Sequence, residues 1–256
     1  MSGAVPCAYA QAERIDAAGN AADTCAVIVA GGSGERFGDP RGKQFVELAG
    51  LPLVAWSILA FDHAPSVAHV VVVCPRGREQ QMREDVLGRM ELRHEITLAT
   101  AGQTRQDSVL SGLMAVPPEL ALVAIHDGAR PLVEVDAIEK CLAAVRGNKD
   151  VQGAICASRT TDTLKVVDEA GHIVGTPDRS HFWCALTPQC FLRRTILSAH
   201  EHALLEGYVG TDDASLVEHV GGLVRVVESP RDNIKVTVPE DLAIAEAALA
   251  ARMGIR

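Results

Sequence analysis

Residues 25–37 read Cys25-Ala26-Val27-Ile28-Val29-Ala30-Gly31-Gly32-Ser33-Gly34-Glu35-Arg36-Phe37. A short β-branched run closed by glycines predicts a buried strand that empties into a loop whose backbone N–H groups can approach phosphate closely. Open α/β sheets bind their ligands at such strand ends. Outward from this stretch the pattern repeats. Amphipathic segments at Pro52–His63, Arg78–Met90, Thr104–Val116 and Val135–Arg146 alternate with apolar runs at Val70–Cys74, Ile96–Ala99 and Leu122–His126. The rhythm predicts an α/β fold, a mostly parallel twisted sheet with helices on both faces.

After a further strand at 151–157 the pattern changes. Residues 160–187 alternate apolar and polar side chains around Asp168-Glu169-Ala170-Gly171, which reads as a β-hairpin too polar for a sheet centre. A projecting arm at about 158–187 that packs on a second subunit would cover its apolar positions, so a homodimer is expected. Helices are then expected at 193–206 and 212–220, strands at Leu223–Val227 and Ile234–Val238, and a last helix with Pro239 in its first turn. Residues 1–24 read as a mobile tail, and 25–256 as one domain with its arm.

Composition narrows the function. A net charge of -9 argues against a broad nucleic-acid surface, which relies on clustered Lys and Arg, so any phosphate binding must be local. Seven cysteines form no CxxC pair and sit mainly in apolar runs, as buried thiols of a reducing compartment do. With no apolar run of membrane-spanning length and no secretory signal at the start, a cytoplasmic protein is expected, with no membrane partner.

The glycine loop is neither of two common nucleotide motifs. Gly32-x-Gly34-x-x-Phe37 lacks the third glycine of a dinucleotide fingerprint, and Gly42-Lys43-Gln44 lacks the spacing and hydroxyl of a Walker A loop. It is instead a long loop carrying Arg36 and Lys43, two cations placed to meet one triphosphate. Phosphoryl transfer asks little more of a protein than positioning and neutralisation of developing charge. On the same rim, Asp127 follows the apolar run Val123–His126, a natural seat for Mg²⁺, which binds one or two carboxylates plus substrate phosphates. The bland alternatives are a solvated loop and an Asp127 that caps a turn. Gly102-Gln103-Thr104-Arg105-Gln106-Asp107-Ser108 reads by itself only as a helix N-terminus, and Asn233, Lys235 and Thr237 share one face of an extended segment.

Together these segments, with Asp162-Thr163-Leu164-Lys165, Leu186-Thr187-Pro188-Gln189 and Thr211-Asp212-Asp213-Ala214-Ser215, resemble the 2-C-methyl-D-erythritol 4-phosphate cytidylyltransferases of the non-mevalonate isoprenoid pathway, from about Cys25 to Leu249. The resemblance implies a Rossmann-like nucleotidyltransferase fold, a homodimer joined through the arm, and attack of the acceptor phosphate on the α-phosphorus of CTP with Mg²⁺ as cofactor. Carried over by position, Arg36 and Lys43 would stabilise the transition state, and Arg179 and Lys235 would position the acceptor. Ala30, Gly31, Gly32, Gly102, Gln103, Ser108 and Gly128 would hold the cytidine and ribose. Asp127 and Asp232 would bind the metal, while Arg130, Thr163 and Thr187 would line the acceptor site, some of them reaching from the other subunit. Two departures stand out: Gly42 where the family usually has Pro, which leaves the placement of Lys43 open, and Gly128 where it usually has Ala, a change expected to leave room for the base. The alternatives are a ribitol 5-phosphate cytidylyltransferase and a non-catalytic nucleotide-binding subunit.

Overall fold

A computed structural model describes residues 22–32, 34 and 37–254. The tail expected at 1–24 therefore lies mostly outside the described residues, as does Arg36. The first strand already begins at Thr24.

The order of the main sheet follows from burial. β1 (Thr24–Val29) is buried along almost its whole length and takes an interior place, parallel to β2 (Val67–Cys74) on one side and β4 (Leu122–Asp127) on the other. β3 (Ile96–Thr100) extends the sheet beyond β2. Alternate residues of β1 serve different layers, because successive strand side chains point to opposite faces. Ala26 and Ile28 join the core with α1 (Leu53–Asp62) and α3 (Val135–Arg146), whereas Cys25 and Val27 join the core with α2 (Arg105–Met114) and α4 (Arg193–Glu206). Helices thus cover both faces. The approach of α2 is close: a Cβ on Gly112 would lie 2.5 Å from Val27 Cγ1.

Past β4 the sheet continues through β8 (Trp183–Leu192), then β5 (Gly153–Arg159), then β9 (Val224–Glu228). β8 is a correction to the expected hairpin, for it leaves the arm and enters the sheet centre antiparallel to β4 and β5. Pro188 and Gln189 disguise it, since proline cannot donate to a ladder and is confined to edges and irregularities. The ladder to β5 does break there, its register shifting between Ala185 and Gln189. Only β6 (Val166–Val167) and β7 (Ile173–Gly175) form the arm's own two-stranded sheet. The turn between them is the expected one, with Asp168 N–H donating to His172 O at 3.0 Å and Gly171 at φ 83°.

Two further expectations are corrected. The segment at 78–90 is not one helix but a broken one, Glu79–Gln81, Met82–Val86 and Leu87–Arg89, that still buries Met82 and Val86 one turn apart. The segment 234–238 is not a strand. Its Val236 N–H donates to Ala129 O at 2.8 Å, which pins it against the rim of the sheet. The helices at the end are α5 (Asp213–His219) and α6 (Glu240–Met253), with Pro239 one residue before α6 rather than in its first turn.

Candidate active site

The order of the strands reverses between β1 and β4, with β2 and β3 added on one side and β4 on the other, and this is the switch point where open sheets leave a crevice. Both strands stop together, Val29 pairing with Asp127, and Gly128 N–H donates to Val29 O at 2.9 Å. Above them opens a cavity of about 560 Å³. Ala30, Gly31, Gly32 and Gly128 form its floor at the switch point, and Gly102, Gln103, Thr104 and Ser108 form one wall.

The wall is a helix start. Thr104 caps α2 in a reciprocal box with Asp107, and Ser108 Oγ accepts from Gly102 N–H at 3.1 Å while donating to Thr104 O at 2.8 Å. Backbone comes this close only without side chains. A Cβ on Gly102 would stand 2.3 Å from that of Asp107, and one on Gly31 2.2 Å from that of Ala101. Gly128 lines the cavity with its backbone, and its missing Cβ faces the core, where it would meet Val54 Cγ2 at 3.0 Å and Ala30 Cβ at 3.2 Å, so the space that glycine leaves lies against Val54.

The charged wall comes from three distant segments. Gly42 holds φ 88°, a conformation proline cannot adopt, and Lys43 follows it into the cavity with Nζ donating to Val236 O at 2.9 Å. Asp127 Oδ2 lies 2.7 Å from Lys235 Nζ and 3.9 Å from Arg130 Nε, and Oδ1 accepts from Arg105 Nε at 3.2 Å. Burial pushes the Asp127 carboxyl upward, but Arg105, Lys235 and Arg130 outweigh it and hold the group far below the usual carboxylate range. Asp127 is therefore ionised.

Behind Asp127 stands a buried polar relay. Its N–H donates to Thr187 Oγ1 at 3.1 Å, and the Thr187 hydroxyl donates to His126 Nδ1 at 2.9 Å. His126 Nε2 donates to Arg130 O at 3.2 Å, which makes Nδ1 the acceptor. Burial drives the His126 pKa down to about 4, so the ring is neutral near pH 7.

Of the residues expected from sequence, the structure gathers Ala30, Gly31, Gly32, Lys43, Gly102, Gln103, Ser108, Asp127, Gly128 and Lys235 around the cavity. Others lie elsewhere. Thr187 is buried beneath Asp127, and Arg130 donates Nη1 to Asn233 O at 2.8 Å beside it. Asp232 lies away from the cavity lining, paired with Arg252 at 2.7 Å. Thr163 and Arg179 belong to the exposed arm, where Arg179 hydrogen-bonds Thr161 O. Arg105 and its partner Asp213 also belong to the site, with Arg105 in the cavity lining, though the sequence by itself assigns neither a role. Their only sequence mark was membership of the shared motifs.

Among the described residues no group of three His, Cys, Asp or Glu could hold a metal by itself. The donor set instead suits an ion that takes one carboxylate, Asp127, and draws its other oxygens from ligand phosphates, as Mg²⁺ does.

A glycine-floored crevice at a Rossmann-like switch point, with ammonium and guanidinium groups gathered around one ionised carboxylate, is the arrangement of a nucleotidyltransferase, and comparison with known proteins agrees. The family model of 2-C-methyl-D-erythritol 4-phosphate cytidylyltransferase (IspD) matches residues 24–251. The chain is 39% identical over 229 residues to the 2-C-methyl-D-erythritol 4-phosphate cytidylyltransferase of Pelotomaculum thermopropionicum, covering 90% of this chain and 95% of that one. It is 43% identical over 226 residues to that of Prochlorococcus marinus, covering 88% and 98%. Among solved structures, the 4-diphosphocytidyl-2C-methyl-D-erythritol synthase of Anaerococcus prevotii superposes with a TM-score of 0.78 at 28% identity, covering 88% of this chain and 97% of that one. The chain belongs to the 2-C-methyl-D-erythritol 4-phosphate cytidylyltransferase family.

Proposed function

We propose that this enzyme transfers CMP from CTP to 2-C-methyl-D-erythritol 4-phosphate. A phosphate oxygen of the acceptor attacks the α-phosphorus of CTP, the new P–O–P bond forms, and the bond to the β-phosphate breaks to release pyrophosphate. The observation that carries the reading is the convergence of Lys43, Arg105 and Lys235 on the cavity beside Asp127. Cations aimed at charge that builds on the transferred group lower the barrier more than they tighten substrate binding.

In this reading Lys43 neutralises the triphosphate, aided by Arg36. The Gly102–Ser108 wall and the Ala30–Gly32 floor seat the nucleoside. Asp127 would hold Mg²⁺, which supplies Lewis-acid neutralisation of the phosphates. Asp232, committed to Arg252, is the less apt of the two acids.

The arm supports a homodimer. Val166, Val167, Ile173 and Val174 are 51 to 64% exposed, and an apolar hairpin of this kind invites pairing. A partner's arm would bring Thr163 and Arg179 to the acceptor, since the chain's own arm leaves both outside the cavity lining. A cytoplasmic setting is in keeping with the buried thiols of Cys25, Cys74, Cys141, Cys156 and Cys190, and no nucleic-acid partner is proposed for a chain of net charge -9. No helix among the described residues is long and apolar enough to cross a membrane.

Pyrophosphate release from CTP and Mg²⁺ tests the reading, with methylerythritol phosphate and ribitol 5-phosphate supplied in turn. Turnover with the first and not the second is expected. Turnover with ribitol 5-phosphate alone, or with neither, would overturn it.

A further inference from the structure

Arg105 divides its fork between two carboxylates. Nε donates to Asp127 Oδ1 at 3.2 Å and Nη2 to Asp213 Oδ2 at 2.8 Å. The two acids are unlike. Asp127 lines the cavity, while the Asp213 side chain is 1% exposed at the first position of α5, and among the described residues its carboxylate has Arg105 as its one hydrogen-bond partner. α5 is itself tied into the sheet: Asp212 caps it by accepting from Ser215 N–H at 2.9 Å, Gln189 Nε2 donates to Asp212 Oδ2 at 2.8 Å, and Ala214 N–H donates to Gln189 Oε1 at 3.1 Å. Gln189 belongs to β8, which pairs with β4, the strand that ends in Asp127. Asp213 thus stands on a rigid mount.

Another partner of Asp127, Lys235, is held less firmly. It lies outside any strand or helix, its side chain is 37% exposed, and it is a point charge that can turn toward another anion. A guanidinium bridging two carboxylates has no such freedom.

Resting on the transferase reading, we propose that Asp213 is a positioning residue for the reaction, acting through Arg105 to fix the Asp127 carboxylate while Lys235 exchanges between Asp127 and substrate phosphate. Groups that orient a site's ligating residues typically change affinity or activity by about 10–100-fold when removed. The expected signature is a loss of that order in kcat with the KM for CTP little changed, because the wall and floor that seat the nucleoside are untouched.

A double-mutant cycle tests this. Asp213→Asn keeps the shape and removes the charge, and Arg105→Lys keeps the charge and removes the fork. Each is expected to lower kcat by about 10–100-fold, with the double variant no worse than either alone, because residues acting in series are not additive. A readout independent of turnover is the ¹⁵N resonance of Arg105 Nε in the metal-free protein, expected to exchange slowly with water in the wild type and rapidly in Asp213→Asn. Additive losses, a kcat within twofold of wild type in Asp213→Asn, or an Nε–H equally protected in both proteins would overturn the proposal. A wild-type chain that turns over neither acceptor would defeat the transferase reading, and the exchange experiment would still decide whether Asp213 fixes Arg105.

Discussion

Lys235 Nζ sits 2.7 Å from Asp127 Oδ2, although 108 positions separate the two in sequence. The pair makes Asp127 an acid that is already ionised and already engaged. Asp127→Asn removes the charge but not the shape, leaving Lys235 and Arg130 without their carboxylate partner and Arg105 with Asp213 alone. Removal of one electrostatic group of this kind costs on the order of 10²–10³ in kcat. Circular dichroism should show the fold retained while pyrophosphate release falls by that factor, and a variant with unchanged rate and Mg²⁺ dependence would reduce Asp127 to a turn residue.

The Lys43 placement rests on Gly42. At φ 88° and ψ 135° the backbone occupies a region that L-residues adopt only with strain of order 1–3 kcal/mol, and a Cβ would meet Gln44 Nε2 at 2.9 Å. Gly42→Pro forces φ to about -65° and must swing the following lysine. Steady-state kinetics should show kcat reduced nearly as far as in Lys43→Ala, even though proline is usual in the family at this point. Wild-type kinetics in Gly42→Pro would mean the loop has a second conformation that serves equally well.

Gly128→Ala should act on stability rather than on nucleotide binding. The added methyl would meet Val54, Ala30 and Ile28 side chains at 3.0 to 3.3 Å, and overpacking of this kind costs about 1–3 kcal/mol. Urea unfolding should show the loss, and Val54→Ala should recover part of it in the double variant. A rise in the Kd for CTP without any loss of stability would instead put the methyl in the base site.

Two histidines make the protein acid-sensitive. His126 and His200 are 0% and 2% exposed, and burial drives the pKa of each from an ordinary 6.5 to about 4. The unfolded chain then holds the proton more tightly than the folded one. Their contribution is therefore full above about pH 6.5 and lost as pH falls toward 4, at most about 3 kcal/mol for each. His200 Nε2 has no hydrogen-bond partner among the described residues, so His200→Leu should flatten this fall while leaving Tm at pH 7 unchanged or higher. Equal slopes in Tm between pH 6.5 and 4 for both proteins would show that His200 does not titrate as described.

Arg179 and Lys43 are expected to meet only across two subunits. Arg179→Ala and Lys43→Ala chains, each inactive alone, should regain activity when mixed and allowed to exchange, since a heterodimer would carry one intact site. A mixture that stays inactive despite proven exchange would return Arg179 to its own subunit's site, and an active monomer would remove the dimer altogether.

Much of the site was legible in the sequence because it is built locally. A β-branched run followed by glycines becomes a strand and a phosphate-approaching loop by steric rules alone, so Ala30–Gly32 could be placed from sequence, as could Asp127 at the end of its own strand. Repetition of that local unit implied the layered sheet. What depended on tertiary structure was every relationship between segments. β8 was hidden because Pro188 and Gln189 break the pattern of a central strand, and only its pairing with β4 and β5 shows why the chain tolerates them. The inward aim of the missing Gly128 Cβ depends on Val54 of a different helix. Arg105 reaches Asp213, like Lys235 reaching Asp127, across 108 positions. A sequence states which residues are charged, but an ion pair forms where folding brings opposite charges within a few ångströms and removes the water between them. The order of the strands decides that distance.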